Sequence, residues 1–208
     1  VREGVKLCKE NDIDMVLAIG GGSVIDCAKV VAAGACYDGD PWDLVITPRW
    51  IKKALPIYSV LTLSATGSEM DPFAVISDMS KNEKWGTASE HMKPKMSILD
   101  PEYTYSVSKK QTAAGTADMI SHICENYFTN VKNADVQARF AEGLLKNCFK
   151  YGPIALEEPD NYDARANLMW TASMAINGIL SDGAEVSWCV HPMEHELSAF
   201  YDITHGEG

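Results

Sequence analysis

No stretch restricts the fold of this chain more than residues 15–33. Met15-Val16-Leu17-Ala18-Ile19 is a continuous apolar run, short enough for a strand and suited to burial on both faces, as in a parallel sheet. Gly20-Gly21-Gly22-Ser23 follows, and from 24 to about 33 the pattern becomes that of an amphipathic helix. The order is strand, glycine turn, helix. Without Cβ atoms such a turn lets backbone approach an anion, and the first N–H groups of the helix point at it, with the Ser23 hydroxyl as a further donor. A plain tight turn uses the same residues. The letters also depart from the G-x-G-x-x-G fingerprint of an ordinary dinucleotide fold.

The rest of the first half repeats the theme. Residues 1–10 are amphipathic with helical spacing, and Asn11-Asp12 ends them. A second apolar run, 57–63, leads into Ser64-Ala65-Thr66-Gly67-Ser68-Glu69, a turn rich in hydroxyls and poor in bulk. Short β-type runs at 73–78 and 96–99 close at Asp100-Pro101. Strands alternating with helices or loops make the class α/β. Ligands of open α/β sheets bind at the carboxyl ends of strands, so two small-residue turns in one domain favour a dinucleotide over a single phosphate.

From Ser108 the texture changes. Ser108-Lys109-Lys110-Gln111 matches a capping box, and helical patterns follow at about 108–129, 134–150, 163–180 and 184–200. Gly152-Pro153 and Pro159 help to separate them. The expected organisation is an incomplete Rossmann-like α/β domain with a parallel sheet over 1–107 and an incomplete all-helical domain over 108–208. The absence of an initiator Met and of a closing element makes the chain read as an internal fragment of a longer enzyme.

Composition excludes several classes. A net charge of −11 over 208 residues argues against a general nucleic-acid binder, which holds phosphates with Lys and Arg. No apolar run approaches the roughly 18 residues that a membrane span requires. Cys8, Cys27, Cys36, Cys124, Cys148 and Cys189 show no C-x-x-C spacing and read as reduced, mostly buried thiols of a cytoplasmic protein.

The chemistry concentrates in the helical half. Asp118 and His122 stand four apart in a helical pattern and share one face, as do His191 and His195, and His205 follows in a His-Gly turn. Of five histidines, only His91 lies outside these two segments. An isolated i,i+4 Asp/His pair is most often a local hydrogen bond. One carboxylate with three imidazoles, however, is a donor set for Fe(II), Zn(II) or a similar divalent ion. His191-Pro192-Met193-Glu194-His195 also fits H-x-x-E-H. That protease pattern needs a further acidic ligand well downstream and leaves Asp118, His122 and both turns without a role.

Four segments together resemble the iron-containing alcohol dehydrogenases, especially their bacterial butanol dehydrogenase branch: GGGSVIDCAK (20–29), LTLSATGSE (61–69), AAGTADMISH (113–122) and HPMEHELSAFYDITHG (191–206). The resemblance implies a dehydroquinate synthase-like architecture, a nucleotide domain and a helical metal domain joined across a cleft. It implies Asp118, His122, His191 and His205 as metal ligands, with His195 lining the active site near substrate and nicotinamide. Pyrophosphate contacts would fall on Gly21, Gly22 and Ser23. Thr62 and Thr66 would meet the phosphate and nicotinamide ends, and Lys84 the nicotinamide ribose. Asp26 occupies the acidic position of GGGSxxD, where it would shape the loop. Residues that separate NAD from NADP should lie before residue 1.

The activity so implied is reversible hydride transfer between NADH or NADPH and a small primary alcohol or aldehyde such as butanol or butanal. Either Fe(II) or Zn(II) serves, and a homodimer is one assembly left open. An unperturbed imidazole titrates near 6.5, so His195 suits proton transfer. Trp188, Met193, Phe200 and Tyr201 give the region a small, apolar and aromatic character that suits a neutral substrate. The rivals are a dehydroquinate-synthase-like or glycerol-dehydrogenase-like enzyme and, outside catalysis, a metal-stabilised helical binding module. The first would want a basic cluster for an anionic substrate, which the metal segments lack.

Overall fold

A computed structural model describes residues 1–184 and 186–208, which fall into two compact units. The first comprises Val1–Leu61 with Ser68–Leu99, and the second Thr62–Gly67 with Asp100–Gly208. Glu185, inside the helix expected over 184–200, lies outside the described residues.

The first unit is α/β. Its elements are α1 (Arg2–Glu10), β1 (Val16–Gly20), α2 (Gly22–Gly34), α3 (Pro41–Ile46), β2 (Ile57–Leu61), β3 (Phe73–Asp78), β4 (Glu83–Ala88) and β5 (Met96–Ile98). Strands β1, β2 and β5 form a parallel sheet with β2 in the centre, Val16 opposite Ile57 and Tyr58 opposite Met96. Strands β3 and β4 form a separate antiparallel pair. Val30 and Ala33 of α2 pack with Leu44, Val45, Ile57 and Met92 in the core.

Local chemistry explains several boundaries here. Asp40 caps α3 by accepting from Trp42 N at 2.8 Å, and Pro41 occupies the first helical position, where no donor is missed. Helix α2 starts at Gly22, before the expected residue 24, because Gly21 already turns extended and its carbonyl accepts from Val24 N and Ile25 N. Neither α3 nor β4 stands out in the sequence. Burial of β1 also differs from expectation. Ala18 is buried, but Leu17 and Ile19 are 52% and 61% exposed, because the packed helices cover the opposite sheet face.

The second unit is helical: α4 (Lys109–Tyr127), α5 (Asp135–Glu157), α6 (Tyr162–Ile176) and α7 (Val190–Tyr201), with 3-10 turns at Pro101–Thr104 and His205–Glu207. Met119 and Ile123 of α4 pack with Ala141 and Cys148 of α5 and with Leu168 and Ala172 of α6. The Ser108 hydroxyl caps α4 by accepting from Gln111 N, and Asn161 caps α6 through Ala164 N. Helix α5 runs through Gly152-Pro153 instead of stopping there. Gly152 is held against α4, where an added Cβ would lie 2.8 Å from Thr116 Cγ2, so tertiary packing overrides the local break.

Residues 62–67 follow β2 but pack in this helical unit. Gly67 has φ +67°, and a Cβ there would meet Ala172 O at 2.6 Å, while a Cβ on Gly115 would meet Ser64 O at 2.6 Å. Such approaches admit only glycine. Of the six free thiols only Cys148 is buried; Cys189 is exposed at the start of α7, and the other four are half-buried, fewer buried than expected. Among the described residues, no helix is long and apolar enough to cross a membrane.

Candidate metal centre

Helix α4 supplies the floor of the site. Asp118 and His122, one turn apart, point the same way, and their side chains are 5% and 3% exposed. The first turn of α7 adds His191, and the 3-10 turn after α7 adds His205. Asp118 Oδ1 lies 3.6 Å from His122 Nε2, 3.6 Å from His191 Nε2 and 3.5 Å from His205 Nε2. All four donor atoms fall within 4.8 Å of one another. A tetrahedral ion bound at about 2.1 Å keeps its ligand atoms about 3.4 Å apart, so the observed edges have the right length.

The imidazoles are also oriented for coordination. His191 donates from Nδ1 to Glu125 Oε1, and His205 donates from Nδ1 to Glu194 Oε2. A proton fixed on Nδ1 leaves the Nε2 lone pair aimed at the centre. The buried Nε2 of His191 has no hydrogen-bond partner, the mark of a donor atom waiting for an electrophile. His122 and His191 stack, with ring centroids 4.5 Å apart, and the Trp188 edge meets both.

Burial and neighbouring charge act differently on the donors. Burial drives the His122 pKa down to about 4 despite the opposing pull of Asp118, so its ring is neutral at pH 7. Burial alone would raise the Asp118 carboxyl, but His122, His191 and His205 outweigh it and hold it below its ordinary value. Burial works against the His191 cation, yet Asp118 and Glu125 raise its pKa overall. One carboxylate and three imidazoles offset only one charge of a divalent ion, leaving it electrophilic. The residues therefore fit a Zn(II)- or Fe(II)-type ion.

His205 is placed by close backbone packing. A Cβ on Gly206 would lie 2.0 Å from Ala114 O of α4, so only glycine lets the turn sit that close. Lys110 of α4 pairs with Glu207 at 3.1 Å on the other side of the same turn. His195 stands apart from the four-donor group. It clusters instead with Glu194 and His205, its ring 5.6 Å from that of His205. Met193, Phe200 and Tyr201 are 61%, 68% and 68% exposed and form no closed lining, because they project from the outer face of α7.

The other site candidates are placed as follows. Gly21 and Gly22 open α2 at the carboxyl end of β1, with Ser23 exposed beside them. Asp26 turns inward, accepting from Ser68 Oγ at 2.5 Å and Val75 N at 2.9 Å. Lys84 lies on β4 opposite Ser77. Thr62 and Thr66 are half-buried and belong to the helical unit. Sequence reasoning missed two residues, Glu125 and Glu194. The only signals were that Glu125 continues the Asp118–His122 face of α4, and that Glu194 is the acidic letter of H-x-x-E-H.

Comparison with known proteins identifies the family. The family model described as iron-containing alcohol dehydrogenase matches residues 1–101, and that of the Fe-containing alcohol dehydrogenase family, C-terminal, matches 112–208. The chain is 62% identical to NADH-dependent butanol dehydrogenase A of Clostridium acetobutylicum, over 100% of this chain and 54% of that protein. It is 44% identical to the NADPH-dependent aldehyde reductase YqhD of Escherichia coli, over 98% of this chain and 53% of that protein. The crystal structure of NADH-dependent butanol dehydrogenase A from Thermotoga maritima superposes with a TM-score of 0.95 at 46% identity, covering 98% of this chain and 51% of that one. The chain thus spans about half the length of the curated relatives it matches. With both family models and these relatives in accord, the chain belongs to the iron-containing alcohol dehydrogenase family.

Proposed function

We propose that the intact protein is a metal- and NAD(P)-dependent alcohol dehydrogenase or aldehyde reductase acting on small primary alcohols and aldehydes, butanol and butanal among them. The observation that carries this reading is the convergence of Asp118 and the Nε2 atoms of His122, His191 and His205 at 3.5–3.6 Å. Bound there, a divalent cation supplies Lewis acidity at a substrate oxygen, and a nicotinamide gives or takes the hydride. One relative is named an NADH-dependent butanol dehydrogenase and another an NADPH-dependent aldehyde reductase, which supports the substrate class and leaves both cofactors within it.

The chain's own residues do the rest. Asp118 contributes the negative charge of the ligand set, and the three imidazoles contribute lone pairs without further charge. His195 carries the substrate's hydroxyl proton toward solvent, a role that its half-buried place beside His205 supports. In the α/β unit, Gly21, Gly22 and Ser23 offer the N-terminus of α2 to a pyrophosphate. Asp26 holds that turn in shape through Ser68 and Val75. Thr62 and Thr66 serve the phosphate and nicotinamide ends, and Lys84 the nicotinamide ribose. The protein works in the cytoplasm.

The test is nicotinamide absorbance with a short primary alcohol or its aldehyde, using intact protein loaded anaerobically with Fe(II) or Zn(II). Metal-dependent turnover is expected, and none with any short-chain substrate sinks the reading. Separately, His195→Ala should keep the metal affinity and lower kcat by about 10²–10⁴, while His191→Ala should weaken metal binding to the lower, still measurable affinity of the three remaining donors. The reverse pattern overturns the ligand assignment.

A further inference from the structure

Helix α7 begins without a cap of its own. Its N-cap residue, Cys189, makes no side-chain cap, and the orphan N–H groups of the first turn need acceptors. Glu125, reaching from α4, provides them. Its Oε2 accepts from Cys189 N at 2.6 Å and Val190 N at 2.9 Å, and its Oε1 accepts from His191 N at 3.3 Å. The same Oε1 accepts from His191 Nδ1. The Glu125 side chain is 4% exposed, so water does not share this work.

We propose that Glu125 is a positioning residue that couples the docking of α7 to the coordination geometry of His191. This rests on the metal reading of the Asp118 cluster. A carboxylate is acceptor-only, with about four lone-pair directions, and here four donors fill them. Glutamine, nearly the same shape, has one acceptor oxygen and one donor group. With its oxygen toward Cys189 and Val190, its NH2 faces His191 Nδ1, which must then accept and carry its proton on Nε2. That tautomer has no lone pair for the ion. With its oxygen toward His191, its NH2 opposes two backbone N–H donors, and the first turn of α7 is pushed away. Either way the donor set loses His191 in its working orientation, because one atom group serves both the helix start and the ring.

A capping role alone would lower stability equally with and without metal and would leave the metal affinity of folded protein unchanged. Coupling through His191 makes a different pattern. Zn(II) affinity, measured in the intact protein by competition with a chromophoric chelator, should fall about 10–100-fold in Glu125→Gln. The Co(II) absorption bands should change in shape with it. In a His191→Ala background, Glu125→Gln should cause no further loss of affinity, since the residue through which it acts is gone. Glu125→Gln affinity within twofold of the parent, or losses that add in full in the double variant, overturns the proposal.

One measurement needs no variant. In metal-free parent protein, titrated to the pH at which the ring is neutral, the 15N shifts of His191 should report the proton on Nδ1, and a neutral ring carrying it on Nε2 overturns the coupling even if Glu125→Gln fails to fold. If the parent itself binds neither Zn(II) nor Co(II), the metal reading has failed, and the tautomer result shows separately whether Glu125 sets the ring.

Discussion

Two buried polar clusters, one in each unit, solve the problem of buried charge in opposite ways. In the α/β unit Lys29 is fully buried, and its ammonium donates to Ser68 Oγ at 2.8 Å, Asp71 Oδ1 at 2.8 Å and Phe73 O at 2.6 Å. Ser68 passes a hydrogen bond to Asp26, whose other oxygen accepts from Val75 N. The cluster is closed, with every donor of Lys29 used inside the protein. In the helical unit Asp118 is as deeply buried, but the nitrogens around it stand at ligand–ligand distances and not at hydrogen-bond distances. That cluster is open toward its centre. A closed network completes itself and holds α2 to β3, whereas an open one leaves its donor atoms for the ion proposed above.

This contrast can be broken by experiment, and the largest effect belongs to the closed cluster. Lys29→Met leaves two buried carboxylates without their cation, which should cost about 3–5 kcal/mol in urea-induced unfolding. The loss should be the same with or without added metal, and a metal-dependent loss would erase the distinction. The open cluster should respond to metal itself. Zn(II) at 100 times its Kd should add about 2.7 kcal/mol to the unfolding free energy, a gain that chelation removes. No rise in Tm on adding the ion would mean that the donors are satisfied without one.

Smaller changes sharpen the boundary of the open cluster. Gly206→Ala forces a methyl into Ala114 O, an overpacking worth about 1–3 kcal/mol. Because His205 is the neighbouring residue, metal affinity should drop as well, while the α/β unit unfolds as before. Ser108→Ala removes the α4 cap and should cost about 1 kcal/mol, read as a shift in Tm. Being remote from the donors, it should leave chelator competition unchanged.

How much of this was legible follows from where each signal resides. Asp118 and His122 are one turn apart in a strongly helical segment, so their shared face can be read from spacing. The strand–glycine–helix order at 15–33 can be read for the same reason, since each part depends on neighbours along the chain. Strand β4 could not, because Glu83-Lys84-Trp85-Gly86-Thr87-Ala88 lacks clean alternation and exists by pairing with β3. The continuity of α5 through Pro153 likewise contradicts local propensity and is held by packing on α4 and α6. The place of Glu125 on the Asp118–His122 face could be read from spacing, but its role could not, because its partner His191 lies 66 residues away.

Helical and strand periods, caps and glycine turns are short-range properties, and the order of residues sets them with little help. So do the kinds of donor atom available, one carboxylate and several imidazoles, and with them the family to which the chain belongs. Convergence is another matter. Whether His191 or His195 faces Asp118, which nitrogen of each ring carries the proton, and whether a buried charge is paired or left open depend on helices that meet only when the core forms. Packing of α4 against α5 and α6, and the docking of α7 through Glu125, turn a list of ligand-type residues into a centre with defined edges. Hydrogen bonds and coordination need ångström-scale placement, which spacing along a chain does not encode.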